Sequence, residues 1–148
     1  MPHAQIGIGH ALPVIPLLLL EAGAAYSVLE KKRLWAARGL VFFSTPFDEA
    51  SADLLGELGV ELFKVPSGEV TNLPLLRHVA AKGRPVLLST GMSTLDEVAT
   101  AVETIRAAGD PPLAILHCVS AYPAPVEDTN LRAMDTLRTR FGRPVGLS

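Results

Sequence analysis

The sequence predicts an α/β fold, a partial (β/α)8 TIM barrel of about five parallel strands with their helices, truncated at both ends. Three observations carry that expectation. Short apolar runs recur from Leu40 onward, and they are near-continuous, as in strands buried on both faces. Amphipathic helical segments separate them, which calls for crossover connections and a parallel sheet. No glycine-rich phosphate loop follows any of these strands, which weakens the alternative of an open, doubly wound nucleotide-binding sheet. A whole barrel takes about 250 residues. The chain has 148.

Residues 1–39 read as a divergent N-terminal segment, a remnant of the first strands, and residues 40–148 as the central part of a barrel. The apolar stretch Ala11–Leu20 contains Pro13 and Pro16, runs into Glu21 and is too short to span a bilayer. No Lys or Arg precedes it, so it lacks the front of a signal peptide and reads as a buried helix. Trp35 is expected in the core. Leu40–Ser44 reads as a buried strand, followed by a helix over Asp48–Leu58 that stops at Gly59. Glu61–Val65, Pro85–Ser89 and Leu113–Cys118 are the next strands. Asn72–Lys82 and a segment opened by the capping box of Thr94 and Glu97 are the helices between them. Leu95, Val98, Val102 and Ile105 form the apolar stripe of the latter, again assigned to the core. Asn130–Phe141 is the last helix and Val145–Leu147 the last strand.

Composition excludes several functions. An apolar fraction of 49% and a charged fraction of 19% fit a folded soluble domain. A net charge of -2 gives no electrostatic reason to bind nucleic acid or an anionic membrane. The single cysteine, Cys118, cannot form an intrachain disulfide, which agrees with a reducing cytoplasm.

In a barrel the chemistry sits where strands exit into the βα loops. Those exits read Ser44-Thr45-Pro46-Phe47, Lys64-Val65-Pro66-Ser67-Gly68-Glu69, Ser89-Thr90-Gly91-Met92, His117 to Pro123, and Gly146-Leu147-Ser148. Each supplies a hydroxyl beside a glycine, a proline or a helix start. Hydroxyls, free amides at helix N-termini and one ammonium group make a receptor for phosphate and carboxylate. Any one Ser or Thr is as well explained as a helix cap. Lys64 weighs more, because a lysine ending a buried strand is costly unless it meets an anion. Glu69 divides evenly between a turn cap and a substrate ligand. His117 and Cys118 are expected to pack rather than react. Glu61, Arg84, Pro85 and Arg143, at the opposite strand ends, read as a solvated rim.

The strings Phe43-Ser44-Thr45-Pro46-Phe47-Asp48, Phe63-Lys64 with Ser67-Gly68-Glu69 and Asn72, Leu88 to Met92, His117-Cys118 with Ser120-Ala121-Tyr122-Pro123, and Val145 to Ser148 stand in a fixed order. Together they resemble the N-acetylneuraminate (sialic acid) synthase family, with its legionaminic and pseudaminic acid branches. The resemblance implies a (β/α)8 barrel followed by a small antifreeze-like domain, in a homodimer. It implies a transferase that joins phosphoenolpyruvate to the open-chain aldehyde of an N-acylmannosamine-type sugar and releases phosphate. By the same resemblance Lys64, Thr45, Ser67, Ser89 and Ser148 would hold phosphoenolpyruvate, with Ser120 assisting. Glu69, Tyr122 and Phe47 would touch the sugar. Lys64 and Glu69 are the catalytic candidates.

The family also uses a divalent metal, manganese or magnesium, held by two histidines that lie beyond Gly-Leu-Ser. Both ligands are absent from this chain, so it holds no metal site and is expected to be inactive alone. Two other readings stand beside this one. The chain could be a non-catalytic piece that binds phosphoenolpyruvate or a full-length synthase, or a Schiff-base aldolase acting through Lys64.

Overall fold

Local sequence explains where most of the helices start and stop. The computed structural model describes the backbone from Ala22 to Ser148 and side chains from Val28; the segment Ala11–Leu20 lies outside the described residues. In chain order the elements are α1 (Ala22–Ala36), α2 (Glu49–Glu57), β1 (Phe63–Val65), α3 (Leu73–Ala81), β2 (Val86–Ser89), α4 (Leu95–Ala107), β3 (Leu113–His117), α5 (Ala133–Phe141) and β4 (Val145–Leu147). Short 3-10 turns at Ser67–Glu69 and Val126–Asp128 shape the loops after β1 and β3.

Three helices begin with a side chain that takes up a free amide. The Asp48 carboxylate accepts from Ser51 N at 2.6 Å, and Asn72 Oδ1 from Leu75 N at 3.3 Å. Thr94 Oγ1 accepts from Glu97 N at 3.3 Å while Glu97 Oε2 accepts from Thr94 N at 2.7 Å, the reciprocal box expected from the sequence. Caps of this kind contribute about 0.5–2 kcal/mol each. Behind α2 and α3 the chain turns through Gly59 and Gly83 at φ +72° and +68°, a left-handed conformation that costs glycine least.

All four strands are parallel and lie in the order β1-β2-β3-β4. Each strand therefore neighbours its sequence successor, with one helix per crossover. The register Phe63↔Val86↔Leu113 and Val65↔Leu88↔Ile115 puts six apolar side chains on one face, and all six are buried. Against them pack Leu55 of α2, Leu76 and Val79 of α3, and Ala101 and Ile105 of α4. Leu137 of α5 closes a smaller cluster with Val98 and Ile115. The other face carries Lys64, Leu87, Ala114 and Gly146, which are only half-buried. Helices on one face and strands in sequence order make a sector of a barrel; a doubly wound sheet has helices on both faces and a reversal of strand order.

Several expectations change. Leu40–Ser44 is not a strand: Ser44 makes one isolated parallel bridge to Phe63, and its carbonyl accepts from Lys64 N at 3.1 Å. The segment lies at the sheet edge, and Pro46, which has no amide proton to donate, follows two residues later. Trp35 is not core but 41% exposed, and Leu29 and Leu34 on the same helix are exposed as well. The described contact between α1 and α2 is polar: Lys32 Nζ donates to the Leu58 and Gly59 carbonyls at 3.0 and 2.7 Å. Leu95, in the first turn of α4, precedes the part of the helix that meets the sheet and is exposed; Val98 and Ile105 of its stripe are buried. The last helix begins at Ala133 rather than Asn130, because no side chain caps it and Asn130 adopts a positive φ of 40°.

The rim at the strand starts is less solvated than expected. Arg84 donates through Nη2 to Gly56 O at 3.0 Å and through Nη1 to Val60 O, joining the start of β2 to the end of α2 and the turn behind it. Arg143 pairs with Asp110 at 2.6 Å.

Candidate functional site

The end of the sheet opposite that rim gathers most of the hydroxyls singled out in the sequence. Lys64 lies at the centre of β1 rather than at its end, between the buried Phe63 and Val65. Strand alternation turns it to the face away from the helices. Among the described residues it forms neither a side-chain hydrogen bond nor an ion pair. One strand over, Leu87 pairs in register with Lys64, and Ser89 follows two residues later on the same face. Ser89 is only 2% exposed, and among the described residues its hydroxyl has no hydrogen-bond partner. An orphaned buried hydroxyl costs about 1–3 kcal/mol, so it marks a place where a ligand regains free energy.

Three successive loops meet beside these groups. Ser67 opens the 3-10 turn after β1, and its Oγ accepts from Gly91 N in the loop after β2 at 2.9 Å. The same oxygen lies 3.1 Å from Cys118 Sγ, just past β3. Gly91 is pressed so close to the third loop that a Cβ on it would lie 2.5 Å from Ser120 Oγ and 2.9 Å from Cys118 Sγ. Ser67, Gly91, Cys118 and Ser120 thus form one cluster.

Other candidates lie further out. Glu69 ends the turn that Ser67 begins, and its Oε2 accepts from Asn72 Nδ2 at 2.7 Å while Asn72 Oδ1 caps α3. Thr45 is half-buried and follows Ser44, which bridges β1. Ser148 donates its amide to His117 O at 2.9 Å, at the end of the sheet but exposed. Phe47 and Tyr122 are not drawn into the cluster: both are exposed, Tyr122 by 86%. His117 turns to the helix side, where its Nε2 donates to the Thr129 carbonyl at 2.7 Å and anchors the long loop after β3.

Sequence reasoning missed the parts played by Gly91, Asn72 and Cys118. Gly91 was legible as a glycine inside an otherwise hydroxyl-bearing exit, a signal of close backbone approach. Nothing in the spacing of Cys118 linked it to Ser67, 51 residues earlier.

The model of the NeuB family matches residues 26–148. The chain belongs to the NeuB family. The N,N'-diacetyllegionaminic acid synthase of Legionella pneumophila is 48% identical over 114 residues, covering 74% of the chain and 32% of that relative. The enzyme of the same name from Campylobacter jejuni is 45% identical over 111 residues, covering 74% of the chain and 33% of the relative. Among solved structures, the N-acetylneuraminic acid (sialic acid) synthetase of Leptospira borgpetersenii, determined with citrate, superposes with a TM-score of 0.80 at 36% identity. That match covers 83% of the chain and 43% of the synthetase. The chain therefore spans about a third of the length of the curated relatives it matches. Its four-stranded sheet is part of a (β/α)8 barrel. Among the described residues no helix is long and apolar enough to cross a membrane.

Proposed function

We infer that the chain supplies the phosphoenolpyruvate-receiving part of a sialic acid-type synthase, a transferase that makes a nonulosonic acid. The observation that carries this reading is that Lys64 and the buried Ser89 hydroxyl, unpartnered among the described residues, share one face of the sheet on neighbouring strands. An ammonium group half-removed from water needs an anion, and the Ser89 hydroxyl needs a partner. A small phosphorylated carboxylic acid satisfies both. Thr45, Ser67, Ser120 and Ser148 offer further hydroxyls around the same mouth. Glu69, held by Asn72, and the exposed rings of Phe47 and Tyr122 are then left for the sugar at the outer rim.

In the proposed reaction, carbon 3 of phosphoenolpyruvate bonds to the aldehyde carbon of an open-chain N-acylmannosamine-type sugar, whose oxygen takes a proton. Water adds to the cationic carbon 2, and the bond from carbon 2 to the phosphate oxygen breaks, releasing inorganic phosphate. The two relatives named as N,N'-diacetyllegionaminic acid synthases support an acceptor of the N-acylated sugar class. Lys64 binds and orients the phosphorylated acid throughout, and the hydroxyls fix its rotation. The divalent metal that the resemblance implies finds no ligand set in this part of the barrel: among the described residues no three His, Cys, Asp or Glu side chains gather. Lys64 and the hydroxyls carry the reading without it. The homodimer belongs to the same reading.

Calorimetric titration of the chain with phosphoenolpyruvate tests it. A hydrogen bond to a charged group contributes about 1.5–3 kcal/mol, so Lys64→Met is expected to weaken binding roughly 10- to 100-fold. Equal binding by the two proteins, or none by the unmodified chain, overturns the reading. Borohydride added with pyruvate should leave Lys64 unmodified; a trapped adduct would point to aldolase chemistry instead.

A further inference from the structure

The valences of Ser67 do not balance unless its neighbours are counted. A hydroxyl has one proton to donate and two lone pairs to accept with. One lone pair of Ser67 Oγ is taken by Gly91 N–H at 2.9 Å. Cys118 Sγ lies 3.1 Å from the same oxygen, and either atom could be the donor. If Ser67 donates to sulfur, its only proton is spent on a weak acceptor, and the thiol proton of Cys118 is left buried without a partner. If the thiol donates to Ser67, both lone pairs are filled, and the Ser67 proton is free to turn to the half-open mouth, toward water or an anion. The second arrangement leaves no buried donor unpaired, whereas the first orphans the thiol proton.

We propose that Cys118 is a positioning residue for Ser67: its S–H, together with the Gly91 amide, fills the acceptor sites of the Ser67 hydroxyl and leaves it able only to donate to a bound phosphorylated acid. The functional half of this inference rests on the anion-receptor reading above; the direction of the hydrogen bond does not. Cys118 is only 8% exposed, so its role is transmitted through Ser67 rather than by contact with the ligand. Its place on the third loop also explains why a cysteine between His117 and Val119 should matter to a serine on the first.

Cys118 is the single cysteine of the chain, so the protein has one S–H stretching band in the Raman spectrum. In the unliganded full chain that band should lie at the lowered wavenumber of a donating thiol. Ser67→Ala should return it to the position of a free thiol. A band unmoved by Ser67→Ala, or one already at the free position in the unmodified chain, overturns the proposal.

Titration with phosphoenolpyruvate is the second arm. Cys118→Ala should weaken binding about three- to tenfold, and Cys118→Ser, which restores a donor, should recover most of it. Thermal melts of each variant confirm folding. If Cys118→Ala melts cooperatively and binds as the unmodified chain does, the positioning role is refuted. If the unmodified chain does not bind phosphoenolpyruvate while the Raman shift appears, the hydrogen-bond direction stands and the anion reading alone falls.

Discussion

Replacing Gly91 by Ala tests whether the loops after β2 and β3 are packed as closely as the geometry states. The added Cβ would lie 2.5 Å from Ser120 Oγ, 2.9 Å from Cys118 Sγ and 3.1 Å from Cys118 O. The first overlap is cheap, because Ser120 is exposed and its hydroxyl can rotate away. The other two are not: one atom belongs to a buried thiol and the other to the backbone. Carbon reaches comfortable contact near 3.5 Å, so these neighbours must yield by about half an ångström. Overpacking of this size costs about 1–3 kcal/mol. Alanine also trims the entropy of the unfolded chain, which offsets about 0.4–1 kcal/mol. At mid-range values the clash wins, leaving a net loss of about 1.3 kcal/mol, with about 2.6 kcal/mol as the upper bound. At about 4 °C per kcal/mol for a chain of this size, Tm should fall by about 5 °C and by no more than about 10 °C. Gly68→Ala is the control, since a Cβ there meets nothing within 4 Å, and its Tm should hold or rise slightly. Calorimetric melts of both variants decide the matter. A Gly91→Ala protein that melts at or above the unmodified Tm would refute the close-packing argument.

Two further outcomes follow from the described contacts. Thr94→Ala removes the hydroxyl half of the capping box and should cost about 1 kcal/mol, read as a lower midpoint in urea with an unchanged slope. Acid should weaken the fold. Asp53 is held below the usual carboxylate range by its hydrogen bonds from Lys82 and then His78, Asp48 by the Ser51 bonds of its cap, Glu97 by Thr94 and Glu103 by Arg106. Each depressed carboxylate binds its proton less readily folded than unfolded, so its contribution is complete above the ordinary carboxylate pKa of about 4. It is lost as pH falls through the lower folded value. Melts between neutral pH and about pH 3 should show Tm dropping below pH 4–5, with the Asp53→Asn protein losing less over that window; no such difference would remove Asp53 from the account.

The sequence by itself determined the parallel α/β architecture, the positions of four strands and the helix caps. These depend on short-range signals: apolar runs, a capping residue three positions from its amide, a glycine behind a helix. It determined the family too, because five motifs in order leave few alternatives. It misjudged Leu40–Ser44, whose strand character depends on a neighbour at the sheet edge that composition does not reveal. It misplaced Trp35 for a similar reason, since the described contact of α1 with the end of α2 is made by the Lys32 ammonium. Only the tertiary structure decided which candidates meet. Strand alternation and register bring Lys64 and Ser89 to one face, and the crossing of three loops brings Ser67, Gly91 and Cys118 within hydrogen-bonding distance. Residues far apart in the chain acquire a shared site only when the sheet sets their spacing, and no local pattern encodes that distance.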